Sequence, residues 1–81
     1  MVRIAIEYCA PRRLGAEAVA TQRVLSDYLR DYDEIDGVTL TPSGEEVFCV
    51  HVDDEPVWSV DPDGRVDPME AVAAVRSRLA V

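Results

Sequence analysis

The sequence contains no lysine. All eight of its basic residues are arginine, set against sixteen acidic ones, for a net charge of −8 over 81 residues. Such a surface repels nucleic acid phosphates and anionic lipids, which removes both as partners. Cysteine is scarce as well. Cys9 and Cys49 make no disulfide framework, and adding His51 gives no zinc-ligand spacing, so no structural metal and no cofactor are expected. No apolar run is long enough to span a bilayer, and no basic segment followed by an apolar stretch opens the chain. A soluble, cytoplasmic, monomeric protein is therefore expected, with residues 1–81 as one domain that buries roughly 60% of its unfolded surface. The acids cluster briefly at 31–34, 45–46, 53–55 and 61–63, where loops or element ends are expected. A solvated acidic surface without strongly hydrated lysine fits a high-salt, halophilic cytoplasm. The alternative is an acidic interaction face.

The stretch around which the chain is arranged runs from Arg3 to Arg13. Val2, Ile4 and Ile6 alternate with Arg3 and Glu7, and Ala5 is small, as in an interior strand ending near Tyr8. Pro11 suits the first turn of a helix, where its missing N–H is not needed and its φ is already helical. This places Cys9 at or just before a helix N-terminus, with Arg12 and Arg13 as neighbouring cations. The expected result is an acidified, reactive thiol. The plainer reading makes Cys9 a small apolar residue at a strand end.

From Pro11 onward Leu14, Ala18, Thr21, Leu25, Tyr28, Leu29 and Tyr32 recur at three- and four-residue spacing, predicting a helix of about five turns with Tyr28 and Tyr32 at the core's edge. Gly15 in its first turns marks a place of close packing near the cysteine loop. Residues 33–37 end the helix, with Gly37 as the turn residue. Val38 to Thr41 reads as a second strand, broken by Pro42, Ser43 and Gly44. Val47 to Val52 is a third strand, with Phe48, Val50 and Val52 on one face and Val47, Cys49 and His51 on the other. Asp53 to Glu55 forms a tight hairpin turn into a fourth strand, Pro56 to Val60, which Pro56 marks as an edge because it cannot donate to a ladder. After a turn at 61–64, Asp67, Pro68 and Glu70 supply an N-cap, a first-turn proline and a capping-box acid. The final helix buries Met69, Val72, Val75 and Leu79, with Ala71 and Ala74 beside them.

The order is β-α-β-β-β-α. A ferredoxin-like domain needs a strand after the last helix, and a ubiquitin-like carrier needs an opening hairpin. Strand one, its crossover helix and strand two make a right-handed parallel pair, and the later hairpin extends the sheet. The expectation is an α/β, thioredoxin-like two-layer sandwich, with two helices on a four-stranded mixed sheet.

In that order the residues Ile6-Glu7-Tyr8-Cys9, Val38 to Ser43, Val47 to Asp53, Val57-Trp58-Ser59 and Gly64-Arg65-Val66 resemble the selenoprotein W-like (Rdx) family over nearly the whole chain. The resemblance implies a thiol-redox role, since family members carry a Cys-x-x-Cys or Cys-x-x-selenocysteine pair after the first strand. Here the motif stands as Cys9-Ala10-Pro11-Arg12, with the second thiol replaced by arginine. An intramolecular disulfide cannot form within it.

Cys49 is expected two or three strand residues away from Cys9, too far to resolve it, and is read as filler between sheet and helix. His51 is read as a core-edge or surface residue. The favoured function is a monothiol redox protein in which Cys9, assisted by Arg12, reacts with a protein or small-molecule thiol or disulfide. The alternatives are a non-enzymatic module that binds a protein through Ala10, Pro11, Arg13 and Trp58 around the Cys9 loop, and a sensor that acts by reversible capping of Cys9.

Overall fold

A computed structural model describes residues 2–61 and 64–79. The order is as expected: β1 (Val2–Cys9), α1 (Gly15–Tyr28), β2 (Ile35–Ser43), β3 (Phe48–Val52), β4 (Glu55–Val60) and α2 (Pro68–Leu79). The strands form one sheet in the order β2-β1-β3-β4, with β1–β2 parallel and the other pairs antiparallel. Both helices pack on this sheet and against each other. Ile4 and Ile6 of β1 and Phe48, Val50 and Val52 of β3 meet Ala18, Leu25, Ala71, Val72 and Val75 of the helices in one buried cluster. Each large member contributes about 1.5–3 kcal/mol by leaving water. None of the helices is long and apolar enough to cross a membrane among the described residues.

α1 starts at Gly15, later than Pro11, and ends at Tyr28, earlier than Tyr32. Residues 10–13 close a β-turn in which the Arg13 N–H donates to the Ala10 carbonyl (2.9 Å). Arg13 adopts φ 59°, a left-handed conformation that no α-helix can contain. The fixed φ of Pro11 serves the second position of this turn as well as it would serve a first helical turn. At the other end, Tyr32 N–H bonds to Leu29 and Ile35 N–H to Tyr32, so successive turns carry the three-residue spacing past the helix. Leu29 and Tyr32 thereby still reach the core. Tyr28 does not: it is exposed, with the Arg76 guanidinium 5.9 Å from its ring centroid. A Cβ added at Gly15 would meet no atom within 4 Å, so close packing does not explain this glycine.

β2 is longer than expected at both ends. Gly37 lies inside it with φ 149°, where the ladder shifts register between Val2–Ile35 and Arg3–Gly37. Asp36 is the extra residue of a bulge, and glycine supplies the backbone conformation there. Pro42 and Ser43 also belong to the strand. The Ser43 carbonyl faces β1, accepting from Ala10 N–H (3.0 Å), so the preceding Pro42 turns its nitrogen toward the open edge, where no ladder bond is lost. On that same edge Gln22 Nε2 donates to the Val38 carbonyl (2.8 Å).

The hairpin turn is confined to Asp53 and Asp54, both at positive φ (51° and 69°), which matches the right-handed twist of the flanking strands. Asp53 is held by the Arg3 backbone, accepting its N–H at Oδ1 (2.9 Å). A register shift in β4 and the edge position of Pro56 agree with the expected edge strand. The cap of α2 is also as expected, with Met69 N–H donating to Asp67 Oδ1 (3.1 Å). Met69 itself is exposed, so the buried face of α2 begins only at Ala71. Before α2, Gly64 N–H bonds to the Asp61 carbonyl (2.7 Å); the expected turn at 61–64 rests on Pro62 and Asp63, which, like residues 80–81, lie outside the described residues.

Candidate functional site

Cys9 is the last residue of β1 and is only 1% exposed. Parallel pairing sets it beside Ser43, so the loops leaving β1 and β2 emerge side by side. The first is the Ala10–Arg13 turn. The second bends back at once, Glu45 N–H donating to Ser43 Oγ (3.1 Å). The two loops are joined through side chains: Arg12 Nε and Nη2 both reach Glu46 Oε1, at 3.2 and 2.6 Å. Arg12 is 35% exposed and Glu46 70%.

Cys9 is therefore not at a helix N-terminus. Five residues separate it from Gly15, and the end charge of a helix dipole acts within about its first turn, so the α1 dipole does not reach the Cys9 sulfur. Ala10, Pro11 and Arg13 are exposed on the turn beside Cys9. Trp58 is placed elsewhere. It pairs with Val50, which pairs with Ile6, two strands across the sheet from β1. Its half-buried ring stands edge-on to Phe48, with centroids 6.1 Å apart at 89°.

Cys49 lies opposite Glu7 in the β1–β3 ladder, on the sheet face away from the helices, and not in the sheet–helix interface. Strict alternation carries Ile4 and Ile6 to the helices and Ala5 and Glu7 to the other side. His51 shares that second face, its Nε2 3.2 Å from Glu7 Oε1. Ala5, Glu7, Thr41, His51 and Asp54 line a shallow depression there. Burial first, and then the Glu7 carboxylate, push the Cys49 thiol up from its ordinary value. This favours the neutral thiol and makes Cys49 a poor nucleophile.

Sequence reasoning missed Glu46, which appeared only as one acid in a loop. The available signal was the parallel pairing of β1 and β2. It brings the two strands' C-terminal ends together, so an acid just after the second strand lies near a cation just after the first.

The profile of the Rdx family matches residues 3–77. Among solved structures, a protein of Bordetella parapertussis superposes with a TM-score of 0.79 at 26% identity, covering 95% of this chain and 96% of that one. A selenoprotein W-related protein of Vibrio cholerae superposes with a TM-score of 0.76 at 20% identity, covering 96% of both chains. No curated protein matches. With the β-α-β-β-β-α sandwich and a cysteine at the end of its first strand, the chain belongs to the Rdx family.

Proposed function

We propose that this protein is a thiol-redox protein that works through Cys9 alone. The observation that supports the reading is the placement of Cys9 where β1 leaves the sheet, with Arg12 three residues further on and paired across to Glu46. The Cys9 thiolate attacks one sulfur of a substrate disulfide. A Cys9–substrate disulfide forms and the other sulfur departs as a thiolate. An external thiolate then attacks the substrate sulfur of that mixed disulfide, returning Cys9 as thiolate and leaving with the substrate as a new disulfide. Cys49, kept neutral beside Glu7, takes no part. Arg12 attracts a carboxylate on the incoming thiol or disulfide. The lysine-free acidic surface supports work in a cytoplasm of high ionic strength.

One observation favours the binding-module alternative: Cys9 is almost fully covered. A single experiment separates the two. Incubation with a small symmetric disulfide, followed by intact-mass and peptide analysis, is expected to place one adduct on Cys9, released by excess thiol and absent in Cys9→Ser. A wild-type protein that takes up no adduct while folded is a binding module.

A further inference from the structure

We infer that the cleft between the end of α1 and the start of β2 is a docking site for a basic polypeptide, which seats one apolar side chain in it. Gln22 Nε2 ties the helix to the Val38 carbonyl (2.8 Å). Past that tie the two elements leave a cleft of about 150 Å³, open to solvent on one side. Leu25 and Leu29 are buried at its floor, and Tyr32, Ile35 and Val38 are half-buried along its walls. Ser26, Arg30 and Gly37 are exposed at its mouth. An apolar space of that size accepts one benzene-sized group, whereas pockets for nucleotides and other small ligands start at about 300 Å³. The occupant is therefore a single side chain.

Charge decides what carries that side chain. Asp27, Asp31, Asp33, Glu34 and Asp36 are all exposed, and each is the chain neighbour of a residue lining the cleft. Over residues 27–36 they are opposed by Arg30 alone, whose guanidinium lies 3.4 Å from Asp27. No basic residue stands in the last turn of α1, and the negative end of its dipole falls here. A second copy of this chain, at net charge −8, is repelled by such a rim. An apolar residue flanked by arginine or lysine complements both floor and rim. The cleft sits at the Val2–Ile35 end of the β1–β2 pair, seven residues or about 23 Å from the Cys9–Ser43 end. A partner held there leaves the Cys9 turn uncovered, so this site is independent of the thiol chemistry.

The test titrates nitrogen-15-labelled protein at low salt with the peptide acetyl-Arg-Arg-Phe-Arg-Arg-amide and follows the backbone amide shifts. Saturable shifts are expected across residues 25–38. Replacing the peptide's phenylalanine by glycine should raise Kd about tenfold, the loss of one buried apolar side chain. Asp33→Asn with Asp36→Asn should weaken binding at least about two-fold, the least that loss of two exposed charge contacts gives. Glu45→Gln with Asp54→Asn, the same charge change on other loops, should leave the affinity unmoved. Ser26→Trp fills the mouth from an exposed helix position and should make the phenylalanine and glycine peptides bind alike. No saturable shift, shifts spread evenly over all the acidic loops, equal affinity of the parent protein for the two peptides, or an undiminished preference for phenylalanine in Ser26→Trp would each overturn the docking site.

Discussion

Cys49 faces Glu7 across the β1–β3 ladder, two residues short of Cys9 on the neighbouring strand. Two strand residues and one inter-strand step put the cysteine Cα atoms roughly 8 Å apart, beyond the reach of a disulfide in an unmoved backbone. Mild oxidation of the folded protein is expected to give an adduct or an intermolecular disulfide at Cys9. A Cys9–Cys49 bridge in native protein, found by peptide mapping, would end the monothiol reading.

The same placement predicts an alkaline weakness. The Cys49 thiol titrates above its ordinary 9.0 because it is buried and faces Glu7. Above that value the unfolded chain loses this proton before the folded one does. The contribution to stability is thus complete below about pH 9 and is lost as pH rises through the folded value. Cys49→Ala should flatten the decline in thermal midpoint above pH 9. An unchanged slope would show that Cys49 does not govern it.

Arg12→Cys places a second thiol in the turn that begins beside Cys9, and removes the tie to Glu46. Under mild oxidant it should lose two hydrogens in mass and form an intramolecular disulfide with Cys9. A pair that stays reduced would mean that the geometry of this turn does not allow a disulfide between residues 9 and 12.

Three substitutions test the local backbone. Asp67→Ala removes the Oδ1 acceptor of Met69 N–H and should cost about 1 kcal/mol, lowering the thermal midpoint by roughly 4–8 °C. Asp54→Gly places at φ 69° the residue that adopts it without strain and should raise the midpoint by a few degrees. Asp53→Gly should not, because it also removes the bond to Arg3.

Screening gives the last expectation. Sixteen acids against eight arginines repel one another on so small a surface, so the thermal midpoint should climb between low and molar salt. A flat response would return weight to a partner-binding acidic face.

The parts of the fold legible in the sequence were those written locally. Alternation fixed β1 and β3, adjacent aspartates marked the hairpin turn, and Asp67-Pro68 fixed the start of α2. The start of α1 was misread because Pro11 has the same φ in a turn and in a first helical turn, and nothing nearby announced the left-handed Arg13. Met69 was misread because periodicity identifies a helix face without saying where along it the neighbouring layer begins. At the site, Cys9 and Arg12 are expected close together because they share one short stretch of chain, and the structure keeps both where β1 ends. Glu46, 34 residues from Arg12, became its partner only through the parallel pairing of two strands.

The outer edge of β2 bears on how this chain survives crowding among copies of itself. A foreign strand seeking to extend the sheet there would find Pro42 with no hydrogen to give and the Val38 carbonyl already engaged by Gln22. Each missing or occupied site breaks the regular run of bonds that an added strand needs, so fibrillar stacking along this edge is interrupted at two points within five residues. Gln22→Ala and Pro42→Thr together would reopen the template, and seeded aggregation should become faster in that pair than in either single variant.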